Sequence, residues 1–435
     1  MRPVSDLGVL RLRDFRLVFG AALVSLLGDG MLPVALTFAV LDLTGSPTDL
    51  GVVLAARTVA LVGSLLAGGV VADRIGRRAV MIAADVVRLL AQGTVGVLLV
   101  SGNATVVELA VSQAFLGAAT GFFNPASSGL IPLVAGKWLQ QANSLRGMAM
   151  AAGNIAGPAI AGVLVVASSP GVALLFDAGS YGASALLLAR VSNDVSTGPP
   201  QRFLTELREG FAEFRARTWV WATIAVASIA NALGVAFPVL GALVAKRELG
   251  GAGAWALILA VQGVGALAAG TMLLRFVPRR PLLVATLIGL LPAIPELLLA
   301  VPAPLILITL AALLSGVGGM VFNTLWETTL QQHIPAAARS RVSSYDWFGS
   351  LALQSLGFAL IGPFAAAVGT STALYLCGAL DLVVVSLLLS VRDIRTLTPA
   401  PTGIEVPVDS EACAEQQQPL ASPSTVREQD AAERS

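Results

Sequence analysis

Charged side chains are scarce in this sequence, and several stand inside long apolar stretches: Asp29, Arg57, Asp85, Arg88, Asp177, Glu296, Glu327 and Asp381. Within a lipid bilayer such groups are costly, and by default they mark binding or proton-transfer sites. A count of helical rise from the helix ends puts Asp29 and Arg57 at similar depth, so they can pair. A permanent pair would be a structural lock, whereas a separable one would let Asp29 carry a proton; both readings stand. Asp85 and Arg88 lie three apart and share a helix face, which predicts a structural network. Glu327 follows Trp326, and a carboxylate beside an aromatic ring suits a cationic or hydroxyl-rich ligand. Trp326 fits a membrane-interface belt equally well. Asp177 and Glu296 are expected toward the outer side, within reach of water, and Asp381 near mid-span in the last helix. The single histidine, His333, is assigned no chemistry. The two cysteines, Cys377 and Cys413, imply neither a metal site nor a disulfide framework. No phosphate-binding G-x-x-x-x-G-K-[ST] and no constellation for covalent catalysis is found. The chain is therefore expected to be no enzyme, to hold no cofactor and to use no ATP directly.

The elements that position these residues follow from composition. Of 435 residues 56% are apolar and 12% charged, against about 25% charged in an ordinary soluble domain. The mean hydropathy of +0.81 is spread over almost the whole length. A water-facing surface cannot be built from this, but a set of membrane spans can, each needing about 20 apolar residues. The pattern predicts an all-α integral membrane protein of twelve helices, near 15–41, 50–73, 79–101, 104–133, 142–167, 170–190, 218–245, 251–275, 280–301, 303–331, 342–367 and 371–391. A net charge of +1 offers no field for nucleic acid.

Lysine and arginine fall almost entirely on one set of loops, among them Arg74, Arg77 and Arg78, Lys137 and Arg146, Arg279 and Arg280, and Arg392 and Arg395. The alternate loops hold only Lys246 and Arg247. The bias predicts that both termini are cytoplasmic. Four domains are expected: a six-helix half over 1–190, a cytoplasmic loop over 191–217, a second half over 218–395 and a disordered tail over 396–435. Within the loop, Phe203, Leu207, Phe211 and Phe214 repeat at helical spacing, as in an amphipathic interfacial helix. The halves repeat weakly at an offset of about 200 residues. Gly69 and Arg74 match Gly270 and Arg275, Phe123-Asn124 match Phe322-Asn323, and Gly157 and Gly162 match Gly357 and Gly362. Two parallel six-helix halves can rock about a site at their interface.

One loop carries a motif. Gly69-Val70-Val71-Ala72-Asp73-Arg74-Ile75-Gly76-Arg77-Arg78 closes the second helix. Gly69 permits close helix approach, Gly76 a tight turn, and Asp73 sits where it can pair with arginine or accept N–H groups. The segment resembles G-x-x-x-D-R-x-G-R-R of the major facilitator superfamily, between helices 2 and 3 as there. The resemblance covers about residues 10–395. It implies that Asp73, Arg74 and Arg77 form a latch holding the outward-facing state. In helix 5, Gly153, Gly157, Pro158 and Gly162 resemble the antiporter motif of drug–proton exporters, with its end altered. Gly28-Asp29-Gly30, Phe123-Asn124-Pro125-Ala126, the QQANSL run from Gln140 and Arg341-Val342-Ser343-Ser344 are similar to the branch holding macrolide efflux proteins and the enterobactin exporter. Many drug–proton antiporters have an arginine four residues before a helix-4 glycine; here Gln113 precedes Gly117. The second-half copy of the loop motif has Leu274 where Asp73 would align. The resemblance implies a monomeric, proton-coupled exporter of amphipathic drugs or metabolites in the bacterial cell membrane. A siderophore or other metabolite transporter, or a membrane sensor that has lost transport, are the alternatives.

Overall fold

A computed structural model describes residues 8–192, 217–273, 276, 278–334 and 336–399. The amphipathic helix expected before Arg217 and nearly all of the expected tail lie outside these residues. Among the described residues twelve helices are long and apolar enough to cross a membrane. They are α1 (Arg13–Thr44), α2 (Pro47–Ile75), α3 (Arg77–Val100), α4 (Val106–Ala135), α5 (Leu139–Ala167) and α6 (Pro170–Leu188). After them come α7 (Thr218–Glu248), α8 (Ala252–Leu273), α9 (Pro281–Leu299), α10 (Leu305–His333), α11 (Ala336–Val368) and α12 (Thr370–Ser390). No strand occurs among the described residues.

Local chemistry explains where the helices begin. The Ser46 hydroxyl accepts the Asp49 N–H at 3.2 Å, and Pro47 follows it at the first helical position. Ser169 and Pro170 repeat the device at α6. Thr105 and Glu108 form a reciprocal capping box at α4. Between α2 and α3, Gly76 adopts φ 103°, open only to glycine, so one residue ends one helix and starts the next.

Two spans are broken where the pattern predicted continuous helices. In α7 a π-helical turn, Phe237–Gly241, contains Pro238. In α9 the helix stops at Ile288 and resumes at Ala293. Pro292 and Pro295 supply no N–H to the turns before them, so the ladder cannot run through. Irregular backbone at membrane depth is tolerated where protein or a water-filled cavity surrounds it.

The halves share one packing scheme built on glycine. In the first, Gly117 of α4 lies against the Arg57 backbone of α2, and Gly157 of α5 against Gly30 of α1. In the second, Gly316 of α10 lies against the Gln262 backbone of α8, and Gly357 of α11 against Ala232 of α7. A Cβ at any of these positions would collide with backbone, so small residues set the helix spacing.

At the end away from the termini the halves are fused. One apolar cluster joins Leu36, Leu41, Leu50 and Val53 to Leu243, Trp255, Ile258, Phe358 and Leu374. There Gly51 meets the Phe358 carbonyl, Gly362 the Thr48 backbone, and Gly162 the Ala256 side chain. Lys246 bridges to Asp42 at 2.6 Å and donates to the Leu41 carbonyl. Toward the end carrying the termini the core divides. Phe15, Val80, Met81 and Leu130 belong to a first-half cluster, while Trp219, Leu282, Trp326 and Leu330 belong to a second-half one. Large apolar side chains such as Val97, Phe115, Val166, Phe176 and Leu186 face outward, which suits a hydrocarbon surround.

Candidate functional site: buried polar groups in two halves

In the first half the intramembrane charges form one connected set. Gly30 and Gly157 draw α1 onto α5, while Gly28 lies against Asp177 and Ser180 of α6. This close approach places Asp29 beside Tyr181, whose hydroxyl donates to its carboxylate at 2.6 Å. Asp85 pairs with Arg88 at 3.3 Å and accepts the Ser184 hydroxyl at 2.6 Å. The Arg88 guanidinium lies 4.3 Å from the centre of the Phe123 ring and 5.4 Å from that of Tyr181, a cation held between aromatic faces. Gln92 donates to Asp177 at 2.8 Å, and Gln113 donates to Gln92 at 3.1 Å. Asp85, Gln92, Gln113 and Asp177 are fully buried.

Several placements correct the expectations. Asp177 is sealed from water rather than reachable from outside. Among the described residues no ion pair joins Asp29 to Arg57; Asp29 takes a neutral partner on α6 instead. Equal depth along two helices does not fix which way each side chain points. The Asp85–Arg88 pair is present and wider than predicted, reaching Ser184, Phe123 and Tyr181. Gln113, standing in the arginine position, caps an amide chain that ends on Asp177. Gln92, Tyr181 and Ser184 were missed because neutral polar residues leave little trace against an apolar background.

The second half is arranged differently. A cavity of about 440 Å³ is lined by Asn231, Pro292, Glu296, Phe322, Asn323, Trp326, Glu327, Gln354 and Asp381, among others. Glu296 and Asp381 are 3% and 6% exposed, and each has one buried carboxylate oxygen without a hydrogen-bond partner. Ala293 and Leu297 of α9 close on Gly378 of α12, which brings the two carboxylates to one wall. Glu296 is thus buried rather than near water, and Asp381 belongs to the cavity. Glu327 also lines it, accepting from Gln331 at 3.4 Å. Trp326 is buried edge-on against Trp219 at 5.8 Å, inside the half and not in a belt. His333 contacts the Thr329 carbonyl of its own helix.

The loop motif clasps its own half in this conformation. Arg77 donates to the Gly129 carbonyl of α4 at 2.7 Å, and Arg78 to the Leu188 and Ala189 carbonyls ending α6. Arg74 is exposed. The environment of Gly69 and the Asp73 side chain lie outside what the structure describes. In helix 5, Gly153 packs on the Leu26 carbonyl and Gly157 on Gly30, whereas Gly162 faces the other half. Pro158 is buried between them.

The profile of the Major Facilitator Superfamily matches residues 18–357. The chain belongs to this superfamily. It is 31% identical over 380 residues to the multidrug efflux pump Tap of Mycolicibacterium fortuitum, covering 81% of this chain and 89% of that protein. To the enterobactin exporter EntS of Citrobacter koseri it is 28% identical over 426 residues, covering 89% and 95%. Its fold is similar to that of the nucleoside transporter NupG, with a TM-score of 0.69 at 13% identity over 87% of this chain and 98% of that one. This facilitator is thus a multi-pass membrane transporter of the efflux branch, and not an enzyme.

Proposed function

We propose that this facilitator exports amphipathic organic compounds, drugs or secondary metabolites, in exchange for protons, as a monomer with both termini in the cytoplasm. The observation that carries the reading is the uneven joining of the halves. Their cores are one cluster at the end away from the termini and separate clusters at the other. With the arginine-rich loops in the cytoplasm, this is a transporter closed outside and divided inside. The second state of the cycle separates the halves at Lys246–Asp42 and brings the cytoplasmic ends together. In that state Asp73, Arg74 and Arg77 act as the latch, and Arg77 exchanges its contact with the Gly129 carbonyl for one across the interface.

The coupling proton requires a carboxylate on a helix that moves. Asp29 is the first-half candidate. It is half-buried, and it accepts its hydrogen bond from Tyr181, whose ring also lies beside Arg88. Glu327 is the second candidate. The resemblance to Tap supports drugs as cargo, and the resemblance to enterobactin exporters supports a siderophore-like metabolite as the second reading.

The test is efflux of the dye Hoechst 33342 from reconstituted vesicles under an imposed proton gradient. Export should stop when an uncoupler collapses the gradient, even with ATP present, and should be lost in Asp29→Asn while dye binding persists. Export that survives the uncoupler would overturn proton coupling; an unaltered Asp29→Asn variant would leave Asp29 a structural charge. Orientation is checked separately: a cysteine at Ser46 should react with an impermeant reagent from outside, and one at Gly76 should not.

A further inference from the structure

The internal repeat assigns a ligand to the orphaned carboxylates of the second half. One step of 204 residues carries Gln92 to Glu296 and Asp177 to Asp381. In the first half this pair is an amide and a carboxylate, joined by a 2.8 Å hydrogen bond. In the second it is two carboxylates, each with a buried oxygen lacking a partner, as one oxygen of Asp177 also does, but with no amide between them. The same step carries Arg88 to Pro292 and Tyr181 to Val385, and both replacements line the cavity. Phe123, the ring beneath Arg88, matches Phe322 at a step of 199, and Phe322 lines the cavity too. The first half holds its own guanidinium between the rings of Phe123 and Tyr181, paired with Asp85; the second half has the ring of Phe322, the two carboxylates of Glu296 and Asp381, and a cavity of about 440 Å³. None of the described residues lining that space is Lys, Arg or His.

We infer that the cavity bounded by Glu296, Asp381 and Phe322 binds a lipophilic organic cation, which takes the place that Arg88 fills in the first half. The proposal rests on the export reading above and names its substrate class. Two carboxylates brought together in a membrane interior need a counter-charge or protons. An ammonium, phosphonium or amidinium group supplies the charge to both, and its apolar body fits the ring of Phe322 and the aliphatic walls of Val226, Leu351 and Val385. Asn231 and Gln354 add amides able to accept from an N–H cation. Glu327, on α10, adds a third carboxylate to the same lining, so the field is negative from three helices.

Tetraphenylphosphonium and tetraphenylborate are probes of nearly equal size and shape and opposite charge. The full-length protein in nanodiscs should bind the phosphonium and not the borate. Glu296→Gln rebuilds the first-half arrangement of an amide beside a carboxylate, so it should fold, and it should weaken phosphonium binding about tenfold or more. Asp381→Asn should do the same. Unchanged phosphonium affinity in both variants, or equal binding of the two probes by the unsubstituted protein, overturns the proposal. Should a variant fail to fold, the unsubstituted protein decides: carbodiimide labelling of Glu296 and Asp381, read by mass spectrometry, should be blocked by the phosphonium and not by the borate. Labelling unaffected by the phosphonium overturns the site. Flux is scored apart from binding. Phosphonium binding without proton-driven export would sink the export reading and leave this site standing; export of neutral dyes with no phosphonium binding would do the reverse.

Discussion

The two halves use one scaffold for two kinds of interior. Gly117 on Arg57 and Gly316 on Gln262 set the same helix spacing, as do Gly157 on Gly30 and Gly357 on Ala232. Inside that common frame, the first half connects its charges: Asp85 to Arg88 and Ser184, Asp29 to Tyr181, Asp177 to Gln92 and Gln113. The second half has a cavity where those side chains would be, lined by Glu296 and Asp381 and by no basic residue among those described. Both halves keep buried polar atoms without a partner, among them Arg88 Nε, Gln113 Oε1 and Asp177 Oδ1 in the first and one oxygen each of Glu296 and Asp381 in the second. The first-half carboxylates nevertheless have a guanidinium, amides and hydroxyls beside them, which rigidifies their surroundings, whereas the second-half pair faces a cavity. The difference assigns rigidity to the first half and ligand recognition to the second.

The sharpest way to break the comparison is to orphan a charge in the first half. Arg88→Ala leaves Asp85 fully buried beside Ser184 alone and empties the space over Phe123. Removing one partner of a buried pair costs about 3–5 kcal/mol. The purified variant should unfold at a markedly lower temperature, whereas Asp381→Asn, which removes an orphaned charge, should unfold no lower than the parent. Equal losses in the two variants would mean that the halves do not differ as described.

A milder change imposes the second-half pattern on the first. Gln92→Glu replaces the donor to Asp177 by a second carboxylate and leaves the Gln113 amide to satisfy both. The lost donor and the buried charge should cost about 2–3 kcal/mol. Denaturation of this variant beside Glu296→Gln, its mirror image, should show opposite signs. If the two shifted alike, the repeat correspondence would be wrong.

Where the scaffold is shared the halves should respond alike. Gly117→Val and Gly316→Val each drive a branched side chain into a facing backbone carbonyl, and overpacking of this kind costs about 1–3 kcal/mol. Thermal shifts of similar size are expected. A large effect in one half alone would show that the glycine contacts are not equivalent.

Much of this arrangement could be read from the residues alone. Twelve apolar stretches gave the spans; the Ser-Pro pairs at 46–47 and 169–170, which read only as loop residues, prove to be helix starts capped by the Ser46 and Ser169 hydroxyls. Pro292 and Pro295 were visible, but the surrounding length and hydropathy were those of an ordinary span, so the break in α9 did not register. The site was less legible. Depth counting put Asp29 level with Arg57 but carried no information on azimuth, and Asp29 faces α6. It also put Asp177 and Glu296 near the outside, where burial by neighbouring helices is invisible to a linear count. The repeat was recognised from glycines, which report helix contacts. That offset of about 200 falls one helical turn short of the polar positions: pairing Gln92 and Asp177 with Glu296 and Asp381 takes a step of 204, which the glycines did not suggest.

The smallest effect on stability is expected at the closed end. Lys246 of α7 reaches across to Asp42 at 2.6 Å and to the Leu41 carbonyl, tying one half to the other. The two side chains are 31% and 50% exposed, and a pair so open to solvent contributes about 1 kcal/mol or less. Lys246→Ala should therefore leave the unfolding temperature almost unchanged. Its effect falls on the balance between states, because this tie exists only while the end is closed. Loss of about 1 kcal/mol from one of two states changes their ratio about fivefold. Val53 lies in the apolar cluster of that end and is fully buried, so a cysteine there, in a background lacking Cys377 and Cys413, reports opening. Its reaction with an impermeant thiol reagent should quicken by up to about fivefold in Lys246→Ala. Asp42→Asn should do the same to a smaller degree, because the Leu41 carbonyl still holds the ammonium. Raising the salt concentration should bring the parent protein toward the variants, since exposed pairs are screened. Unchanged labelling in Lys246→Ala would place the closure in the glycine contacts at Gly51, Gly162 and Gly362 and their apolar surroundings, and would make the ion pair incidental to the cycle.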